Sequence, residues 1–172
     1  KSETAADALS DPILLFYTIF VTTFQLSRFV GAMMYKTPDT ENFHYDRNFE
    51  PTVSIVIPCM NEEKSIARTI IKSFEADYPA KKLEVIVIND GSTDNTLSVI
   101  LGLQETYPAL KVINFEVNQG KRYGMAAGFK MAKGEIIVQL DSDSYFDGKT
   151  FRGIIEPFID PKIGAVCAHA DP

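Results

Sequence analysis

Between residues 53 and 168 the chain alternates between two hydrophobic periods, and that alternation narrows its possible folds more than any other feature. Apolar, largely β-branched runs at 53–57, 83–88, 110–115, 135–140 and 163–168 read as five strands. The stretches between them read as helices, at 62–74, 94–105, 121–132 and 149–158. In the first, Ile66, Ile70 and Phe74 share a face. In the second, Leu97, Ile100, Leu101 and Gln104 keep helical spacing, with Ser92 or Thr93 as cap. Strands this apolar, with a helix after each, imply an α/β fold: a mostly parallel sheet covered on both faces. The crossovers should be right-handed. Ligands of such sheets sit beyond the carboxyl ends of the strands.

The first strand runs into Pro58-Cys59-Met60-Asn61-Glu62-Glu63, the second into Asn89-Asp90-Gly91-Ser92, the fourth into Asp141-Ser142-Asp143-Ser144. Acidic and amide groups therefore gather on one edge of the sheet. Two carboxylates two residues apart repel each other, and a shared hard cation relieves that. A polar turn is the plainer reading of Asp141-Ser142-Asp143 taken alone. Gly91 permits a positive φ in a tight turn, and the helix that follows offers free amides to an anion. Lys121 and Arg122 open another helix, where basic side chains gain nothing from the dipole. Their use is with phosphate or with the nearby carboxylates, the plainer alternative being a solvated basic pair. No GxGxxG follows the first strand and no GxxxxGK[ST] is present, so neither dinucleotide nor P-loop signature applies.

Ahead of this region stands a different kind of segment. Residues 1–8 are polar and Ala-rich and 1–11 read as a disordered tail, with Asp11 placed to cap a helix and Pro12 suited to its first turn. Residues 12–35 carry a single charge, Arg28, and their apolar side chains surround the helix. That pattern reads as a transmembrane helix, with an interfacial helix or a soluble helix on a partner as alternatives. Arg28 and Lys36 lie on its C-terminal side and place the following domain in the cytoplasm. Residues 36–52, with His44, read as a polar linker leading into the α/β region 53–172. Cys59 and Cys167 have no CxxC spacing and read as two reduced, buried thiols. The net charge of -6 excludes a nucleic-acid groove, which needs clustered Lys and Arg. The chain reads as a fragment of something longer.

Taken together, VSIVIPCMNEE (53–63), VIVINDGSTDNT (85–96), NQGKRYGMAAGF (118–129) and GEIIVQLDSDS (134–144) resemble the inverting glycosyltransferases of family two, which have the GT-A fold. The resemblance covers residues 52 to about 170. It implies that Asp90 recognises the uracil and ribose of a UDP-sugar, and that Pro58, Asn61 and Glu62 wall the nucleotide pocket. It places Lys121 near the phosphates, with Arg122 and Ser142 beside the donor. Asp141 falls near the ribose and donor sugar, and Asp143 is the principal Mg²⁺ or Mn²⁺ ligand, with Asp141 close to the same ion.

Within the family, Lys121-Arg122 and the preceding helix resemble membrane-integrated synthases of hyaluronan, chitin or chitooligosaccharides. A hyaluronan-synthase-like enzyme is the expected specificity, with chitin- or cellulose-type synthases and a non-processive transferase as alternatives. The implied partners are a UDP-sugar donor, a glycan acceptor and a lipid membrane. The family's general base, usually in a later Glu-Asp pair, is expected outside this chain. So is its Gln/Arg-x-x-Arg-Trp segment, since the chain has no Trp. A nucleotidyltransferase and a non-catalytic scaffold are the readings from other classes.

Overall fold

The structure, a computed structural model, describes residues 12–34, 48–146 and 148–168. The chain divides into two units, Lys1–His44 and Tyr45–Pro172. In the first unit the described element is helix α1, Pro12–Met34. None of its residues is buried. At about 1.5 Å per residue it spans roughly 35 Å, against roughly 30 Å for a bilayer core. Phe16, Phe20, Phe29 and Met33 are all exposed, so no face is left for water. Thr18 donates its hydroxyl to the Leu14 carbonyl at 2.8 Å and Ser27 to the Phe24 carbonyl at 2.7 Å. Such back-bonding satisfies hydroxyls within the helix itself. The cap Asp11 and linker residues 36–47, His44 among them, lie outside the described residues.

The second unit holds β1 (Val53–Cys59), α2 (Ile66–Phe74), β2 (Leu83–Asp90), α3 (Thr96–Gln104), β3 (Leu110–Phe115), α4 (Lys121–Met131), β4 (Ile136–Gln139) and α5 (Gly148–Ile155). The four strands are parallel, in the order β3-β2-β1-β4. Ile55, Ile57, Val85 and Val87 pack with Ile66 and Ile70 of α2, Ile100 of α3, and Phe151 and Ile155 of α5. Val56 and Ile88 turn to the other face, where α4 lies against them. The chain steps from β1 to β3 with α2 and α3 on one face. It then returns past β1 to β4 with α4 on the other, which keeps one crossover hand throughout. The strand order therefore reverses between β1 and β4, and a crevice opens there.

Gly124 and Gly128 let α4 approach the sheet; a Cβ on Gly124 would stand 3.3 Å from Ile88 Cγ2. A Cβ on Gly128 would stand 2.5 Å from Val56 Cγ1 and 2.8 Å from Ile88 Cδ1.

Several expectations need correction. The first strand does not end before Pro58 but runs through it to Cys59. Thr52 and Val56 give their carbonyls to Ile136 and Leu140 on the β4 side. By the alternation of a parallel strand, Pro58 turns its missing N–H to that same side, past the last β4 pair. In α3 the buried face is Thr96 and Ile100, with Val99 and Leu103 against the core, while Leu101 is exposed. Asp94, rather than Ser92 or Thr93, accepts the Thr96 N–H at 2.9 Å at the start of that helix. The run 163–168 forms no strand. Val166, Cys167 and Ala168 instead border a groove beside β4 and α5, without the ladder bonds a strand requires. Cys167 is accordingly exposed, not buried.

Candidate functional site

Because β4 inserts beside β1, the carboxyl ends of β1, β2 and β4 meet around one cleft of about 320 Å³. The end of β1 supplies Pro58, Cys59, Met60 and Glu62 to its wall. The end of β2 supplies Asp90, the approach to α4 supplies Asn118 and Lys121, and the turn after β4 supplies Asp141, Ser142 and Asp143. Among the sequence-derived candidates, Pro58, Glu62, Asp90, Lys121, Asp141, Ser142 and Asp143 are thus brought together. Arg122 is exposed and Asn61 is turned elsewhere.

Asp90 is 5% exposed. Its two carboxylate oxygens accept the N–H groups of Gln119 (2.7 Å) and Gly120 (2.9 Å). Each oxygen retains a further lone pair for a ligand. Gly91 follows at φ 69°, and a Cβ there would lie 2.4 Å from the Asn118 nitrogen. No other residue fits that conformation and that approach. The loop 117–120 is thereby held against β2, and it delivers Lys121 to the cleft.

Asn61 has a left-handed φ of 55°. Its side-chain oxygen accepts the Thr93 N–H at 2.8 Å, and its own N–H donates to Ser92 Oγ at 2.9 Å. Next to it, Glu63 N–H donates to Asp94 at 3.2 Å, while Asn95 N–H donates to the Glu63 carboxylate at 3.0 Å. These reciprocal bonds join the loops after β1 and β2 and fix the floor from which Glu62 faces the cleft. Hydrogen bonds from the Thr96 hydroxyl and amide hold the Asp94 carboxyl below its usual range.

On the opposite wall Lys121 Nζ meets Asp141 Oδ1 at 2.7 Å, with both side chains more than half exposed. Ser144 N–H closes the turn on the Asp141 carbonyl at 3.1 Å, and Asp143 stands exposed at its tip. The Cys59 thiol is pushed up to about 12, first by burial and then by the carboxylates of Glu62, Asp94 and Asp90. It is a neutral wall group, not a nucleophile.

Among the described residues no group of three or more His, Cys, Asp or Glu side chains could by itself hold a metal ion. Asp141 and Asp143 offer two hard oxygen donors beside an open cleft. That donor set fits a cation such as Mg²⁺ or Mn²⁺, which keeps few protein ligands and completes its shell with phosphate and water.

Met60 and Asn118 line the cleft without having been singled out in the sequence. Asn118 Nδ2 lies 2.7 Å from Met60 Sδ. Asn118 stands three residues before Lys121 in the same segment, which is its only signal in the sequence. Met60, a lone exposed Met in a turn, gives no signal.

Residues 54–171 match the model of glycosyl transferase family 2. The chain is 32% identical over 163 residues to a poly-β-1,6-N-acetyl-D-glucosamine synthase of Staphylococcus epidermidis, covering 91% of this chain and 38% of that protein. A synthase of the same name from Staphylococcus aureus strain COL is 30% identical over 165 residues, with the same coverage. The chain thus spans well under half the length of these curated relatives.

Among solved structures, a mannosyltransferase of Pyrobaculum calidifontis in complex with GDP-Man and Mn²⁺ aligns with a TM-score of 0.68 at 28% identity, covering 87% of this chain and 42% of that one. The TarS 1-349 protein of S. aureus in complex with UDP-GlcNAc aligns with a TM-score of 0.56 at 30% identity, covering 70% and 37%. The parallel sheet with its crevice at the reversal of strand order and the family match over most of the second unit agree: the chain belongs to glycosyl transferase family 2.

Proposed function

We propose that this chain is the donor-binding part of a transferase that moves N-acetylglucosamine from UDP-N-acetylglucosamine to a growing glucosamine-based polysaccharide, with inversion at the anomeric carbon. The observation that carries this reading is the convergence of Asp90, Lys121, Asp141 and Asp143 on one cleft at the reversal of strand order. Relatives named as poly-β-1,6-N-acetylglucosamine synthases, and a structural relative solved with UDP-GlcNAc, support that sugar. They lend no support to the hyaluronan-like specificity expected from the sequence.

In this reading Pro58 and Glu62 wall the nucleotide site, with Asn61 behind them as the residue that sets the loop. Asp90 has lone pairs left for the base or ribose after fixing the loop 117–120. Lys121 shifts from Asp141 to the diphosphate when the donor enters, with Arg122 adding positive charge at the rim and Ser142 lining the site. Asp141 and Asp143 would hold Mg²⁺ or Mn²⁺, which supplies charge neutralisation for the departing diphosphate. The general base that takes the acceptor proton would lie in the remainder of the protein. Helix α1 would anchor the enzyme in a membrane, with 36–52 as linker and the catalytic unit on the cytoplasmic side.

A second reading has its own support: the mannosyltransferase structure, solved with GDP-Man and Mn²⁺, aligns over more of the chain. Calorimetry on the full-length protein in detergent separates the two. UDP-N-acetylglucosamine, UDP-glucuronate and GDP-mannose are titrated with Mn²⁺, with chelator, and against Asp143→Ala. Metal-dependent binding of UDP-N-acetylglucosamine alone, weakened at least tenfold in the variant, is the expected result. Selective binding of GDP-mannose would favour the second reading. Absence of any nucleotide binding by folded protein would leave only a scaffold role.

A further inference from the structure

The turn bearing Asp143 leaves the sheet as soon as Leu140 N–H has bonded the Val56 carbonyl at 3.0 Å. The strand ladder no longer places it, and two consecutive residues of α2 take over. Thr69, 1% exposed, donates its hydroxyl to the Ser142 carbonyl at 2.8 Å. Arg68 lays its guanidinium 4.0 Å from the centroid of the Tyr145 ring. These two contacts bracket Asp143, one residue before it and two after. The Ser142–Asp143 peptide bond is trans, so a carbonyl turned into α2 sends the Asp143 N–H the opposite way. Among the described residues the bond that Asp143 accepts is a long one, 3.4 Å, from the Ser144 hydroxyl in its own turn, so that turn does little to steady its carboxylate.

Packing alone does not account for Thr69. It shares the buried stripe of α2 with Ile66 and Ile70, where a hydroxyl is costly unless it is used. Here it is used on the backbone of the turn after β4, 73 residues away.

We propose that Arg68 and Thr69 are positioning residues for the divalent cation: they set where the Asp143 carboxylate stands without touching the donor. This rests on the reading of Asp143 as a metal ligand given above. A carboxylate on an unheld turn must be ordered at each binding event, which weakens affinity. Groups that orient metal ligands from behind change metal affinity by roughly 10–100-fold when removed.

The test uses the full-length protein in detergent, with Mn²⁺ and UDP as probes. Calorimetric UDP binding across a Mn²⁺ series gives the half-saturating Mn²⁺ concentration, and electron paramagnetic resonance of free Mn²⁺ reports metal uptake directly. Thr69→Val is expected to raise that concentration about tenfold while leaving UDP binding in chelator unchanged. Thr69→Ser, which keeps the hydroxyl, is expected to restore the wild-type value. Arg68→Ala, at an exposed position, is expected to raise it about threefold.

Wild-type values in both Thr69→Val and Arg68→Ala overturn the inference, and a rise in Thr69→Val alone removes Arg68 from it. If Thr69→Val does not fold, Arg68→Ala decides. Asp143→Asn tells the two readings apart. An unchanged Mn²⁺ dependence there removes the metal reading itself. A weakened one, beside normal Arg68 and Thr69 variants, removes only the positioning role.

Discussion

The two cysteines differ in what surrounds them, and chemistry should follow the surroundings. Cys59 is 4% exposed and held protonated by burial and three neighbouring carboxylates; Cys167 is exposed. Iodoacetamide at about pH 8 is expected to label Cys167 and spare Cys59 in folded protein, and to label both in guanidinium. Mass spectrometry counts the adducts, and a labelled Cys59 in folded protein would contradict the burial described. Asn61 is likewise set by its surroundings. By resemblance it belonged to the pocket wall, but its carboxamide faces Thr93. A motif states which residue types gather at a strand end, not which way each side chain turns. The left-handed backbone at Asn61 decides that, and nothing in the linear spacing reports it. Thr69 left a trace in the sequence: a polar residue on the buried helical stripe, where the other one, Ser73, spends its hydroxyl inside the helix on the Thr69 carbonyl while Thr69 reaches another segment.

Among the elements, α3 and α4 use glycine for opposite reasons. A Cβ at Gly102 of α3 meets nothing within 4 Å, so Gly102→Ala is expected to stabilise by about 0.5–1 kcal/mol through helix propensity. Gly128→Ala must push α4 off Val56 and Ile88 and is expected to cost about 1–3 kcal/mol. Urea denaturation of the two variants gives the signs. The sequence pattern marks both residues simply as weak points in helices; only the crossover of α4 onto the sheet distinguishes them. The strand ends were legible because apolar runs stop abruptly at Asn, Asp and Gly.

The run 163–168 has the local pattern of a strand but forms none, because strand formation needs a neighbour in the ladder, which a local pattern cannot supply. Near the amino ends of the strands Glu84 binds four segments together. Burial alone would raise its carboxyl, but bonds from the Lys111 ammonium, the Ser54 hydroxyl and the Lys133 N–H outweigh that and lower it. Its ionised form therefore stabilises the fold. That contribution is complete above the ordinary value of 4.5 and is lost as pH falls through the lowered one. Glu84→Gln is expected to cost about 2 kcal/mol at pH 7 and much less near about pH 3, read from urea melts at both.

At the scale of the whole molecule, α1 carries one testable demand. A helix of 23 residues with a single charge and no buried face is expected to keep the full-length protein in the membrane pellet through a carbonate wash. Release into the supernatant would instead support docking on a soluble partner. The strand order has a consequence for the order in which the molecule is made. β1, buried at every residue, acquires its β2 neighbour early in synthesis, but its other edge stays open until β4 emerges some 80 residues later. During that interval the nascent chain offers an apolar edge to any other strand it meets. The segment that closes this edge also brings Asp141 and Asp143. A ribosome-bound chain halted before β4 should therefore recruit holdase chaperones, and one halted after the Asp143 turn should shed them.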